Sequence, residues 1–479
     1  MDPDSRYKWT VLAIACIGSM MAPLDSSIVS VTLPEMAQSL HMDYVQVIWV
    51  PTAYLVTIAA LLLSFGRLSD LRGRKPYYLI GFAIFTVSSI ACSLSHDGSQ
   101  LIVSRIAQGV GGAFMMAVSP ALITATFPGK ERGKALGINA MFVYIGLSLG
   151  PPLGGFLTDL FGWPSIFWVN VPIGALAIIL GALVIKEEKV HRPGRFDLPG
   201  AFLFALSLVT LLLALTFGEE WGWGAPLIIV LFLIFAASFY AFVRTEQAKG
   251  SDAMLDPSLF RKNRMFAAGN ISALLNYTSY FGVSFIASFY LQRVLGLGLT
   301  TAGLILLVMP LVMAFTAPLS GWMSDRIGSR MLSTGGMVII AMALLLMSTL
   351  GTGDSGFLVA LYLGIMGLGM GLFSSPNTSS VMGCVPNRQL GVASGAIATM
   401  RTVGQSFSLT IMGAIIAVVA GTDIANSVFG GGGPLPPMAT YESFVNGMHA
   451  AFQVGAVIAL IGAATSSIRG GKACEPMGQ

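Results

Sequence analysis

Fourteen apolar runs of roughly 18–25 residues divide this chain, and each is long enough to cross a ~30 Å hydrocarbon core as a helix. They lie near 9–33, 46–65, 77–95, 100–125, 136–158, 164–185, 199–217, 226–243, 265–291, 300–320, 332–350, 356–376, 392–420 and 447–468. Lipid offers the backbone no hydrogen-bond partners, so runs of this length predict an all-α integral membrane protein. Composition agrees: only 10% of the 479 residues are charged, against about 25% in a soluble domain. The first run follows Arg6 and Lys8 as a signal peptide would. It is too long for a signal core and shows no small-residue cleavage site, so it is kept as the first span.

The few charges orient the spans. Of 26 basic residues, 23 fall in the tails and in the loops on the same side as the tails, while Arg293 alone lies on the other side. The positive-inside rule then predicts both termini in the cytoplasm and the chain in the cytoplasmic (inner) membrane. The basic residues are dispersed over eight short segments, which excludes a nucleic-acid footprint. The remaining two, Arg105 and Arg401, are placed inside spans.

One acid shares that placement. Asp25, in "APLDSSIVSVTLP" (22–34), is the only one of 22 acidic residues well inside a span. An acid at a helix centre costs roughly 2.5–3.5 kcal/mol on insertion scales, so it needs a partner or a purpose. Counting ~1.5 Å per residue from the span ends puts Asp25 about 12 Å, Arg105 about 7 Å and Tyr54 about 12 Å below one boundary. These depths are compatible with a network of Asp25, Arg105, Tyr54 and Gln108. A buried carboxyl beside a cation is a candidate proton carrier; a permanent structural ion pair, or an Arg105 that merely ties carbonyls together, is the alternative. Tyr54, Gln108 and Tyr144 in the first half, with Asn276, Tyr277, Tyr280, Arg401 and Gln405 in the second, are the polar candidates for lining a substrate cavity.

Two stretches repeat. "GRLSDLRGRKP" (66–76) follows span two and "GWMSDRIGSR" (321–330) follows span ten. If each opens the third helix of a six-span unit, the chain divides into an N-terminal bundle over 1–190, two inserted spans with their loops over 191–264, and a C-terminal bundle over 265–479. Gly66, Asp70 and Arg74 stand in the first copy and Asp325 in the second; Asp70 suits a helix N-terminus. In "GLSLGPPLGG" (146–155), Gly146, Gly150 and Gly154 align on one helical face that permits close approach, while Pro151 and its neighbour bend the helix.

Enzymatic chemistry finds no support. There is no phosphate-binding G-x-x-x-x-G-K-[ST], the four histidines lack zinc-ligand spacing, and no nucleophile elbow occurs. The four cysteines are scattered, suggesting neither a disulfide framework nor a metal site. No cofactor is expected.

With these residues in place the chain resembles the major facilitator superfamily, specifically its fourteen-span drug:proton antiporter branch. "LDSSIVSVTLP", the 66–76 loop, "RIAQGVGGA" (105–113), "GLSLGPPLGG" and "WPSIFWVNVPIG" (163–174) carry the likeness. Pro164 departs from it, since the branch commonly has arginine there. The resemblance implies two six-helix bundles with two inserted helices, a cavity lined by spans one and four, and proton coupling at Asp25 with Arg105. It also implies that Asp70 and Arg74 latch an inner gate and that the glycine–proline motif seals the contact between halves and marks antiport. The implied activity is proton-driven export of lipophilic, cationic or zwitterionic, drug-like molecules by a monomer in the lipid bilayer. Symport, or export of a specific metabolite, is the alternative.

Overall fold

The computed structural model describes residues 3–187, 197–249, 260–261, 263–385, 390–430 and 438–468. The boundary expected at 190/191 falls outside these residues, and that expected at 264/265 falls at the start of a helix that begins at Arg264. The chain is all-α: α1 (Pro3–Ser39), α2 (Tyr44–Arg72), α3 (Arg74–Ser93), α4 (Gly98–Thr126), α5 (Gly129–Phe161), a single turn α6 (Ser165–Trp168) and α7 (Asn170–Val184) form the first bundle. An inserted pair, α8 (Leu198–Trp221) and α9 (Pro226–Lys249), follows. The second bundle contains α10 (Arg264–Phe289) with a π-helical end (Tyr290–Val294), α11 (Leu299–Ile327), α12 (Ser329–Met347), α13 (Gly356–Met382), α14 (Leu390–Ala420), the short α15 (Thr422–Phe429) and α16 (Met438–Ser467).

Thirteen helices among the described residues are long and apolar enough to span a membrane. The expected ninth span, α10, is long enough at 26 residues, but buried Asn270, Ser272, Asn276, Thr278 and Ser279 dilute its apolar character. It packs between α14 and α16 and completes the second bundle. Large apolar side chains such as Val87, Leu183, Phe315 and Phe357 are exposed around the outside, as a lipid-facing surface requires.

Local sequence sets the helix ends. Asp43 and Gln46 form a capping box at α2, and Asp97 and Asn263 cap α4 and α10. The repeated motif has a matching backbone in both halves. Gly73, between α2 and α3, has φ 95°, and Gly328, between α11 and α12, has φ 88°, a conformation that a side chain would strain. Asp197 caps α8 through the Gly200 N–H and is ion-paired with Lys249 at the end of α9, which closes the base of the inserted hairpin. Burial pushes this carboxyl up, but Lys249, the Gly200 N–H and Glu246 outweigh it and hold it below the usual carboxylate range.

The inserted pair lies beside the seam between the halves. Leu208 and Leu212 of α8 pack with Val56, Ala59 and Ala60 of α2 and Val403 of α14. One cysteine differs from expectation: Cys384 is disulfide-bonded, its partner lying outside the described residues.

On the side of the membrane away from the termini, hydrogen bonds join the halves. Ser288 and Gln292 donate to the Val31 carbonyl at 3.2 and 2.8 Å, and Arg293 donates to the Pro34 carbonyl at 2.9 Å. The Thr300 N–H and hydroxyl both donate to Asp159, and the Tyr44 N–H donates to Asn426 at 3.0 Å. The glycine–proline motif divides its work between two neighbours. Gly146, Gly150 and Gly154 face α1, at Met20, Ser27 and Ile28 respectively, whereas Pro151 and Gly155 meet Gly303 and Leu299 of α11 across the seam.

A Cβ on Gly150 would fall 2.8 Å from the Ile28 backbone nitrogen, while one on Gly137 of the same helix meets nothing within 4 Å. Overpacking of this kind costs about 1–3 kcal/mol. Gly150→Leu is therefore expected to lower the thermal unfolding temperature of the purified protein, and Gly137→Leu to leave it unchanged.

Candidate functional site

The mid-membrane charges of the first bundle meet in one closed network. Asp25 of α1 and Arg105 of α4 are both fully buried, with Nη1 donating to Oδ2 at 2.5 Å. The other carboxylate oxygen accepts from Gln108 Nε2 at 2.8 Å and from Asn170 Nδ2 at 2.9 Å. Gln108 is oriented by its neighbours: its Oε1 accepts from Arg105 Nη1 at 2.5 Å and its Nε2 also donates to Ser89 Oγ at 2.8 Å. Every group bonded to Asp25 is a donor. That is the surrounding of a carboxylate, because a carboxylic acid here would find no acceptor for its O–H.

Four further elements hold the pair. The Tyr54 ring of α2 lies 4.1 Å from the guanidinium carbon and the Phe167 ring of α6 lies 6.0 Å from it. Arg105 Nε donates to the Val50 carbonyl at 3.3 Å, and the Tyr54 hydroxyl donates to Ala22 O at 3.4 Å. Ser89 and Cys92 come from α3. Asn170 reaches Asp25 from the sixth span, one residue after Val169, whose backbone is helical at φ -58° and ψ -32°. Pro172 in the first turn of α7 needs no hydrogen-bond partner for the N–H it lacks. Arg105 Nη2 is buried without a hydrogen-bond acceptor.

Four of the residues expected to line a cavity are buried in this conformation. Tyr54 and Gln108 belong to the charge network. Asn276 is buried inside the second bundle, donating to Met337 Sδ at 3.5 Å with its Oδ1 unpaired. Tyr280 is also buried.

A second cluster lies between the bundles. Tyr144 of α5 shares a hydrogen bond of 2.9 Å with Ser374 of α13, linking the halves at mid-depth. The rings of Tyr277 and Tyr280 are 5.6 Å apart. Arg401 of α14 is close enough for its charge to act on the Tyr144 and Tyr280 hydroxyls. Gln405, one turn on, is partly exposed on the same face.

Asp70 accepts from Arg74 at 2.8 Å across one helical turn gap, within its own half. Gly66 faces Ala117 of α4. Asp325 stands in the last turn of α11, and its side chain is outside the described atoms. Sequence reasoning missed Asn170, Ser89, Cys92 and Phe167. Asn170 was detectable as an amide in an apolar run; serine, cysteine and phenylalanine are too ordinary in spans to stand out.

The model of the Major Facilitator Superfamily matches residues 15–200 and 191–409. The riboflavin transporter RibZ of Clostridioides difficile (strain 630) is 38% identical over 405 residues, covering 84% of this chain and 87% of that protein. The multidrug resistance protein Stp of Mycobacterium tuberculosis (strain CDC 1551 / Oshkosh) is 34% identical over 414 residues, covering 86% and 76%. A crystal structure of a D-xylose–proton symporter superposes with a TM-score of 0.68 at 13% identity, covering 98% of this chain and 99% of that one.

Breaking a buried ion pair from one side leaves the other charge uncompensated, at about 3–5 kcal/mol. Arg105→Met should therefore destabilise the protein more than the Asp25→Asn/Arg105→Met double variant does. A double-mutant cycle on chemical unfolding measures this, and additive effects of the two substitutions would contradict it.

Proposed function

The chain belongs to the major facilitator superfamily, and on that premise we propose that it is a proton-coupled antiporter exporting lipophilic, drug-like small molecules across the cytoplasmic membrane. Transporters of this superfamily move small molecules across a membrane, and a 34% identical relative bears the name multidrug resistance protein. The observation that carries the coupling is the Asp25–Arg105 pair, fully enclosed in one bundle beside a seam between two. An ionisable group so costly to bury is retained for a proton or ion step.

In this reading the termini are cytoplasmic, which the distribution of basic residues supports. The hydrogen-bonded seam then lies on the outer side, and this conformation is closed to the outside. Residues 1–190 and 265–479 act as the two rocking bodies, with the inserted pair over 191–264 flanking them. Every proposed site residue comes from one chain, so a monomer suffices.

In the proposed cycle the outer seam parts, a proton reaches Asp25, and Arg105 loses its counter-charge and shifts. Return of the proton to the cytoplasm restores the pair. A substrate cation competing with the proton for Asp25 fits this enclosure poorly: Arg105, Gln108 and Asn170 occupy both oxygens. Coupling through the movement of Arg105 fits it better.

One observation favours a second reading, in which the substrate is a specific metabolite: the 38% identical relative is named a riboflavin transporter. Breadth of substrate separates the two. In pump-deleted cells the wild-type chain should confer resistance to several unrelated lipophilic compounds, and Asp25→Asn should return it to the empty-vector level. In inverted vesicles with an acidified lumen, added substrate should release protons. Resistance unaffected by Asp25→Asn, or substrate that draws protons with it in the same direction, would sink the antiport reading.

A further inference from the structure

The membrane-embedded charges do not cancel. Asp25 is taken by Arg105, which leaves Arg401 as a second cation at mid-depth. Among the described residues Arg401 has no ion pair and no hydrogen bond to a side chain or carbonyl, and it is partly exposed between the bundles. No described aromatic ring stacks on its guanidinium, in contrast to Arg105 over Tyr54. Yet its charge is close enough to act on the hydroxyls of Tyr144 and Tyr280, and the Tyr277 ring lies 5.6 Å from that of Tyr280.

Its position is fixed by close helix packing. One turn along α14, Gly404 backs onto α10 so tightly that a Cβ there would lie 2.9 Å from the Tyr277 Cβ and 2.6 Å from the Leu274 carbonyl oxygen. That contact fixes the rotation of α14 against α10 at the level of Tyr277, one turn from Arg401. Tyr144 approaches from the other bundle, anchored on Ser374. The lining therefore combines a guanidinium, with its donors in a planar fork, and phenol rings from both halves. A guanidinium fork matches a carboxylate, phenolate or similar anionic edge, and aromatic rings favour a flat aromatic body beside it.

We propose that Arg401, framed by Tyr144, Tyr277 and Tyr280, is a substrate site for planar aromatic molecules bearing an anionic edge, and that the transporter prefers anionic over cationic members of one scaffold. This rests on the reading of the chain as an exporter with its substrate site between the bundles. It reverses the charge preference that Asp25 alone suggests. It also changes the energetics: a monoanion leaving for each proton that enters moves two charges across the membrane, so potential as well as pH gradient drives the exchange.

Fluorescein and rhodamine 123 share a xanthene frame and carry opposite charge, which makes them suitable probes. Binding to the purified full-length chain in nanodiscs is followed by fluorescence anisotropy. Fluorescein should bind more tightly than rhodamine 123. Arg401→Gln should weaken fluorescein about tenfold, the loss of one charge-assisted contact, while changing rhodamine 123 less than about twofold. Arg401→Lys should fall between, keeping the charge but not the fork, and a matched thermal melt confirms that each variant is folded. Tyr280→Phe, which keeps the ring, should bind fluorescein nearly as wild type does, and Tyr280→Ala should not. Tighter binding of rhodamine 123, fluorescein affinity indifferent to Arg401→Gln, or no binding of either dye would each overturn the inference. Proton release in inverted vesicles tests the exporter reading independently. Antiport of cations with Arg401 dispensable would leave export standing and remove this site, whereas Arg401-dependent fluorescein binding without proton release would do the reverse.

Discussion

A carboxylate and a guanidinium pressed together inside the membrane set the arrangement of the whole first bundle. Charges of either sign are expensive there, and attraction between two of them offsets the desolvation only when other groups satisfy what the pair leaves open. Here Gln108, Asn170 and the Val50 carbonyl do so for all but the Arg105 Nη2, with Ser89 holding both amides and the Tyr54 ring against the guanidinium. These groups come from α2, α3, α4 and α7, so satisfying the pair fixes the depth and rotation of each helix relative to α1.

The seam between bundles is built differently. Its outer part relies on backbone carbonyls of Val31 and Pro34 and on close contact between Gly155, Pro151 and Gly303. In lipid, no hydrophobic force holds helices together, and small residues in close contact supply much of the adhesion. Such an interface has few interlocking side chains to extract when it opens. A bundle stiffened by a buried polar network, meeting its partner across a surface of small residues, is suited to moving as one body.

Most of the architecture was legible in the sequence because membrane crossing imposes length and apolarity on every span. The repeat around Gly73 and Gly328 showed the division into halves, and both glycines do adopt the same left-handed turn. Depth made a contact between Asp25 and Arg105 possible but left open whether Arg105 would instead tie backbone carbonyls; the structure pairs the two. Depth says nothing about azimuth, so it could not show that Tyr54 and Gln108 join the same buried network. Which neighbour each glycine of 146–155 faces, α1 or α11, depends on the same rotation. The disulfide at Cys384 and the role of Asn170 depend on segments far apart in the chain.

The enclosure of Asp25 also bears on how a proton gradient is coupled to movement under the proposed cycle. Protonating the carboxylate in place would strand a buried guanidinium, at a cost of several kcal/mol. A proton driven by 100 mV contributes about 2.3 kcal/mol, and each unit of pH difference about 1.4 kcal/mol. Neither alone meets that cost while Arg105 stays where it is. Proton uptake therefore becomes favourable only in a conformation that gives Arg105 another partner or water, and the same loss of solvation that makes the pair expensive makes protonation and rocking inseparable. A looser, wetter site would titrate freely in both conformations and leak the gradient.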